Sequence, residues 1–241
     1  MDIHKPKPWH GLREFLKEYL IIVVGVLTAL GAEQGVEALR ERHNAAEARE
    51  NIKDELATDV ANLANREQIQ PCIDKRLDEV ETAIATSRKP GFSRPTWVGR
   101  PQFWPIFEAK WQAATSAGRA TLLSPSEQAR YGQVYFTFGL AQTAENQEQT
   151  AWARLRSLEQ AGPVTDDWAT QLRLALAEGR LANWQVKLFT GRARAILEGL
   201  DLPKRPPQHI GSASVCFPIN TPRAEGLARV KAGTKDTFGE P

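Results

Sequence analysis

Residues 18–35 read EYLIIVVGVLTALGAEQG and carry the longest conspicuously apolar run of the chain. From Tyr19 to Ala32 there are fourteen residues without a charge. As an α-helix this run spans about 21 Å, short of the roughly 30 Å hydrocarbon core of a bilayer. Apolar neighbours extend it to residues 15–36, and Lys17 can place its ammonium group among the headgroups. The stretch therefore predicts a transmembrane helix.

The same stretch has two other interpretations, a core helix and a signal peptide. A core helix of a soluble protein would show a polar face, but residues 20–27 are apolar or small on every side. A cleaved signal peptide is a stronger alternative, because Ala29-Leu30-Gly31 is a small-x-small site behind a positive leader. Against cleavage, the segment runs without a turn residue into a strongly helical sequence. We predict an uncleaved anchor and keep the signal peptide as an alternative.

The flanking charges predict the orientation of the anchor. On the N-terminal side of the apolar run lie Lys5, Lys7, Arg13 and Lys17, and within fifteen residues after the span lie Arg40, Arg42 and Arg49. By the positive-inside rule the N-terminus is cytoplasmic and the body is exported. A signal peptide would export the body as well.

The rest of the chain predicts helices. Apolar residues recur at helical spacing from Ile52 to Leu63, and again from Ile69 to Ile84 across Pro71, where we expect a kink or a restart. Residues 88–103 hold three prolines and two glycines and are expected to be irregular. A helix is then expected from about Pro105 to Gly118.

Two more helices have clear start signals. Ser124-Pro125-Ser126-Glu127 has the pattern of a capping box. Thr165 is expected to cap the last long helix, which Gly199 would end. That helix carries a wide apolar face, predicted to be buried against several neighbours; its outer members are Leu174, Leu181, Trp184 and Leu188.

These segments define an all-α fold, with a transmembrane helix that continues into an antiparallel bundle of four or five long helices. The predicted organisation is a short cytoplasmic leader at 1–14, the anchor at 15–36, an extracytoplasmic bundle at 37–202, and an irregular, extended Pro/Gly-rich tail at 203–241.

The chain has two cysteines, Cys72 and Cys216, 144 positions apart. In an oxidising compartment two thiols in so cysteine-poor a chain are expected to pair and to attach the tail to the bundle. The alternatives are two unrelated thiols or a redox-active pair, and the latter lacks CxxC spacing.

Motifs for chemistry are absent from the sequence. The net charge of +2 shows no basic footprint of a nucleic-acid-binding protein. No metal-ligand, nucleotide-loop or serine-hydrolase pattern occurs, so no metal, cofactor or catalytic residue is predicted. Carboxylates such as Glu55 and Asp59 are expected on a solvated helix face.

One set of aromatic residues is a candidate ligand pocket inside the bundle. The alternative is that these side chains fill the core. The set comprises Trp104, Phe107, Trp111, Tyr131, Tyr135 and Phe138.

The stretch LREFLKEYLIIVVGVLTALGAEQGVEALRERHNAAEARENIKDEL resembles a group of uncharacterised bacterial proteins with an "EFL" lead-in, an apolar anchor and a charged helix. WQAATSAGRATLLSPSEQARYGQVY and NQEQTAWARLRSLE are similar to the same group. The resemblance covers most of residues 11–200. It implies a single-pass protein of the bacterial inner membrane, with a periplasmic or extracellular body, and it carries over no catalytic residues.

The leading functional hypothesis is a non-enzymatic, membrane-anchored interaction or sensing module of the cell envelope. Its expected partners are the bilayer, through residues 15–36, and a second copy or another membrane protein. Gly25, Thr28 and Gly31 are small residues that permit close packing of anchor helices. The alternatives are a binder of small molecules or lipids that uses the aromatic set, and an envelope enzyme without a recognisable motif.

Overall fold

The computed structural model describes residues 11–206 and 214–238, and within these ranges it contains helices and no strand. The all-α class is therefore confirmed. Residues 1–10 of the predicted leader, and residues 207–213 and 239–241 of the predicted tail, lie outside the described residues. The helices are α1 (Leu12–Gln68), α2 (Gln70–Thr86), α3 (Ala109–Ser116), α4 (Pro125–Leu155), α5 (Asp166–Leu197) and α6 (Arg223–Phe238), with 3₁₀ turns at Arg119–Leu122, Arg156–Glu159 and Ser214–Cys216.

Helix α1 has two parts with opposite surroundings. Residues 12–43 are exposed almost throughout, including the apolar stretch, whereas Ala45, Ala48 and Ile52 are buried in the bundle. Within the described residues, α1 carries the one helical stretch long and apolar enough to cross a membrane, and none of that stretch is buried. Its 57 residues form one helix of about 85 Å.

The sequence signals for helix boundaries are largely confirmed. Helix α1 ends at Gln68 and α2 restarts with Pro71 in its first turn. The Ser124 side chain accepts from the Glu127 backbone N–H, and Glu127 accepts from the Ser124 N–H, which completes the capping box of α4. The Thr165 hydroxyl accepts from the Trp168 N–H at the start of α5. Gly199, just after α5, has a left-handed φ of 80°.

The packed interior has two parts. The anchor-side core combines α1, α4 and the end of α5, around Ile52, Leu56 and Phe138. The far core combines α2, the end of α4 and the start of α5, around Ile73, Leu155 and Leu172. Both are made of residues at the helical spacing seen in the sequence.

The relative directions of the helices differ from the antiparallel prediction. Residue pairs between α1 and α4 advance together along both helices: Arg49 with Glu127, Glu55 with Tyr135, and Arg66 with Glu148. These two helices are therefore parallel, whereas α5 runs opposite to α4. A parallel pair needs a connection that returns along the bundle, and residues 87–124 provide it.

Three further predictions are wrong, two about helices α3 and α5 and one about the tail. The helix expected from Pro105 begins at Ala109, because backbone groups before it are held by side chains from α1 and α4. Leu174, Leu181 and Trp184 are 54%, 57% and 55% exposed, because α5 turns this side away from its neighbours.

The tail is not extended throughout, since Arg223–Phe238 form α6. The prolines of this segment do not prevent the helix, because Pro222 directly precedes it and its carbonyl accepts a hydrogen bond from the Gly226 N–H. A Cβ atom at Gly226 would lie 2.4 Å from the Trp97 ring, so the glycine allows α6 to approach that ring.

Candidate functional site

The predicted cysteine pair is bonded in the structure. The Sγ atoms of Cys72 and Cys216 are 2.08 Å apart. The bond joins the first turn of α2 to the 3₁₀ turn Ser214–Cys216 and so attaches the tail to the bundle.

A buried arginine, Arg76, also holds the tail against α2. The guanidinium of Arg76 donates to the carbonyls of Trp97, Val98 and Phe217, and to Glu79 at 2.8 Å. Burial lowers the pKa of Arg76. Three backbone carbonyls from two irregular segments therefore share one cation on α2.

The tail also pairs directly with residues 96–100. The Trp97 N–H donates to the Ile219 carbonyl at 2.9 Å, and the Trp97 indole N–H donates to the Ser214 carbonyl at 2.8 Å. The Thr96 hydroxyl donates to the Thr221 carbonyl at 2.9 Å. These hydrogen bonds hold this part of the tail beside α2.

A cleft with a volume of about 920 Å³ lies between α2 and residues 89–95, with Ile219 and Asn220 of the tail on one side. A second cavity of about 370 Å³ adjoins it and shares Lys75, Glu79, Ile219 and Asn220 with it. We call the two together the α2 cleft. The larger cavity is lined by Lys75, Asp78, Glu79, Thr82, Ala83, Thr86, residues 89–93, Pro95, Ile219 and Asn220.

The lining of the α2 cleft suits an amphiphilic ligand. Phe92, Pro95 and Ile219 supply apolar surface. Of the two acids, Glu79 accepts from Arg76 and Asp78 accepts from Arg180 at 2.9 Å. Lys75 also pairs with Glu79 at 3.7 Å, so the exposed Lys89 is the cation best placed to meet an anionic headgroup.

The predicted aromatic pocket is only partly assembled. The Trp111 ring stacks on Tyr135 with a centroid separation of 5.6 Å, and it meets Tyr131 edge-on at 6.2 Å. Phe138 packs edge-on against Tyr135. These four side chains fill part of the anchor-side core. Trp104 and Phe107 both lie on the irregular segment before α3. Trp104 is buried, whereas Phe107 is 45% exposed.

Sequence reasoning missed a set of buried carboxylates. Glu55, Asp59, Glu145 and Glu148, two of them expected on a solvated face, are all buried. Glu55 accepts from the N–H groups of Lys110 and Trp111 and from the Tyr135 hydroxyl.

Two more of these carboxylates hold the same chain segment. Asp59 accepts from the Phe107 N–H at 2.9 Å, and Glu145 accepts from the Trp104 N–H at 3.0 Å. The amide of Asn62 donates to the Pro105 carbonyl. We call residues 103–111 the cradled segment, since side chains of α1 and α4 satisfy its backbone.

Burial shifts the proton affinities of these acids. It raises the pKa of Asp59 to about 8 and that of Glu145 to about 7, and it also raises the pKa of Glu148. Perturbed carboxylates often mark active sites, but structural networks perturb pKa values too. Here the backbone bonds give the carboxylates a structural role.

A further hydrogen-bond network joins four helices. Arg66 of α1 donates to Glu148 of α4 at 2.9 Å and to Asn183 of α5 at 3.0 Å. The Asn183 amide then donates to Asp74 of α2 at 2.8 Å. No signal local to these residues could have identified partners so far apart in sequence.

The described residues contain no cluster of three or more His, Cys, Asp or Glu side chains arranged to hold a metal ion. Comparison of the chain with protein-family models, with curated proteins and with solved structures gave no match. The case for a function therefore rests on the exposed apolar stretch of α1, the α2 cleft and the exposed face of α5.

Proposed function

We propose that this chain is a single-pass protein of the bacterial inner membrane, anchored by residues 15–36. Its helical body lies on the periplasmic or extracellular side and serves as a non-enzymatic interaction or sensing module.

The continuity of α1 is the observation that supports this proposal most directly. The exposed apolar stretch, the charged residues 37–44 and the buried residues from Ala45 onward belong to one unbroken helix. Apolar side chains exposed in this way on every side are costly in water but stable in lipid. A displacement of the anchor would be transmitted directly to the bundle core.

The disulfide supports an exported body. Such bonds persist in oxidising compartments and are rare in the cytoplasm. The excess of basic residues before the span favours the same orientation.

Thiol labelling in intact cells tests this topology. Arg42→Cys places a thiol on the exposed part of α1 beyond the span, and Lys5→Cys places one in the leader. A membrane-impermeant maleimide is expected to label Arg42→Cys before lysis and Lys5→Cys only after lysis. Labelling in the reverse order, or a body released by washing the membranes, contradicts the proposal. An intact mass that begins near Ala32 would establish a cleaved signal peptide instead.

The α2 cleft favours a second candidate, a binding protein for small amphiphiles or lipids. Its volume falls in the range of ligand pockets, and it replaces the aromatic interior as the candidate site. Ala83→Trp would fill the cleft, and Ala129→Trp on an exposed face of α4 is the matched control.

Native mass spectrometry of the membrane-extracted protein with added anionic lysolipid measures this binding. We expect a bound adduct on the parent chain and on Ala129→Trp, and loss of the adduct on Ala83→Trp. Equal adducts on all three chains would place the lipid elsewhere. We propose no reaction, since the convergent carboxylates are engaged by backbone N–H groups.

A further inference from the structure

The outward face of α5 carries an apolar stripe with the spacing of a coiled-coil seam. Leu174, Ala177, Leu181, Trp184 and Leu188 follow one another at intervals of three, four, three and four residues. The first four are exposed and Leu188 is half-buried. In heptad terms the leucines occupy a positions, while Ala177 and Trp184 occupy d positions. We call these five residues the α5 stripe.

This stripe differs from the core face of the same helix. The core face consists of Leu172, Ala175, Leu176, Gly179, Ala182, Asn183, Val186 and Ala193. One helix therefore presents two apolar faces, of which the fold covers one. Exposed Leu and Trp side chains in a continuous row mark interaction sites.

We propose that the α5 stripe is the surface through which two copies of this chain associate, side by side and in parallel, in one membrane. The inference rests on the proposed topology. Two copies anchored in the same orientation can be related by a twofold axis along the membrane normal. Such an axis makes the two α5 helices parallel and brings each leucine of the stripe against its own counterpart.

The flanking charges distinguish parallel from antiparallel pairing. In a parallel pair each g position meets the e position of the next heptad in the second copy. Arg173 then meets Glu178, an exposed carboxylate that also pairs with Arg154 in its own chain, and Arg180 meets Gln185. Arg173 has no ion pair within the part of the chain that the structure describes, so it is available to the second copy.

The third parallel contact brings Lys187 against Arg192, but both cations already have neighbours in their own chain. The Lys187 ammonium lies 3.5 Å from Asp74, and the Arg192 guanidinium lies over the Phe189 ring. In the antiparallel register that sets Arg180 against its own counterpart, Arg173 would instead meet Lys187, a second cation. The charge pattern thus favours the parallel arrangement that the anchor requires.

The size of the stripe predicts a weak dimer. From Leu174 to Leu188 the seam is about 21 Å long, and so short a seam is smaller than a standard stable interface. Confinement of both copies to one membrane raises their effective concentration and makes association through such a surface effective.

Cysteine cross-linking of the full-length protein in membranes tests the proposal. Leu181→Cys lies at an a position of the stripe, and Phe136→Cys, at a 69% exposed apolar residue of α4, is the matched control. Mild oxidation is expected to give a reducible dimer with Leu181→Cys and monomer with Phe136→Cys. A Leu174→Cys protein that cross-links to a Leu188→Cys protein more efficiently than to itself would overturn the parallel arrangement.

Charge exchange provides the second measurement, with dimer formation followed by energy transfer between labelled copies in lipid bilayers. Arg173→Glu and Glu178→Arg each weaken association, because each creates a like-charged contact, and the double variant restores it. Leu181→Arg is expected to weaken association at least about tenfold, because it places a charge in the seam. These side chains are exposed, so the fold is expected to be retained, as circular dichroism would verify.

The outcomes separate the two proposals. If Leu181→Cys fails to cross-link while Arg42→Cys is labelled from outside, the dimer surface is wrong and the anchored module stands. If the body is not exported, the proposed topology is wrong, and the parallel dimer fails with it.

Discussion

The two cores of this bundle are each closed by irregular chain, and opposite chemistry holds that chain in place. In the far core, Arg76 donates to backbone carbonyls of residues 97, 98 and 217, beside a disulfide. In the anchor-side core, Glu55 and Asp59 accept from backbone N–H groups of the cradled segment. Buried backbone groups need partners: a guanidinium has only donors and satisfies carbonyls, whereas carboxyl oxygens accept from N–H groups.

This difference predicts different responses when each attachment is removed. The far end has a covalent bond and one shared cation, so its loss frees a whole segment of chain. The anchor side distributes its bonds over several side chains, so the loss of one leaves the others. The predictions below proceed from the largest expected effect to the smallest.

Removal of the disulfide is expected to have the largest effect. Cys72→Ala with Cys216→Ala frees a 144-residue loop, and we expect the free energy of unfolding to fall by about 4 kcal/mol. Denaturant unfolding of the detergent-solubilised protein measures this. Hydrogen exchange should accelerate at residues 214–221 and stay unchanged at residues 104–111. Equal acceleration in both segments would contradict the independence of the two ends.

Removal of the Arg76 guanidinium is expected to cause the second-largest loss of stability. Arg76→Met keeps much of the side-chain volume but leaves three carbonyls without their donor, at an expected cost of about 3 kcal/mol. Arg229→Met on α6, where the guanidinium is exposed over the Phe217 ring, is the control and should cost little. Unfolding midpoints of the two variants provide the comparison. Similar losses in both would show that the carbonyl contacts of Arg76 contribute nothing specific.

On the anchor side, Glu55→Ala is expected to cost about 2 kcal/mol, because it removes the acceptor of two backbone N–H groups and of the Tyr135 hydroxyl. Glu50→Ala, one turn earlier and exposed, is the matched control. Glu55→Gln keeps one acceptor oxygen and should lie between the two. If Glu55→Gln destabilises as much as Glu55→Ala, the negative charge matters more than the acceptor geometry.

Counted per pH unit and per ionisable group, the smallest effect is a dependence of stability on pH, which accumulates over several units. The pKa values of Asp59, about 8, and Glu145, about 7, are raised in the folded chain, so the folded state holds protons that the unfolded state releases above about pH 4. Stability should therefore fall as pH rises from about 4 to 8, by at most about 1.4 kcal/mol per pH unit for each group.

Asp59→Asn tests the pH dependence, since the variant retains an acceptor for the Phe107 N–H and cannot ionise. Its stability should vary less between pH 4 and 8 than that of the parent chain. Glu127, whose pKa is lowered to about 2 mainly by its hydrogen bond with Arg49, acts below this window and is the control position. An unchanged slope in Asp59→Asn would assign the pH dependence to other groups.

The features that could be predicted from the sequence are those set by neighbouring residues. Pro71, Ser124, Thr165 and Gly199 mark helix boundaries because capping and φ preferences act over three or four residues. The exposed apolar stretch of α1 was recognisable from its length and its lack of charge. The cysteine pair was predictable because only two thiols were present.

Burial of charged groups was not predictable in the same way. Glu55 and Asp59 occupy spacings that usually face solvent, and their burial depends on backbone donors some fifty residues later. The candidate ligand site in the structure differs from the predicted one for the same reason. The aromatic set follows from composition, whereas the α2 cleft depends on residues 89–95 lying beside α2 and on Ile219 and Asn220 of the tail.

Local chemistry thus determined, from the sequence by itself, where helices begin and end and which segment lipid would favour. The tertiary structure alone decided that α1 and α4 run parallel, that α6 forms against Trp97, and that α5 keeps one apolar face uncovered. The physical reason is the sequence separation over which each kind of interaction acts. Caps and hydrophobic periods act within a few turns, whereas the partner of a buried charge or an apolar face comes from a distant part of the chain.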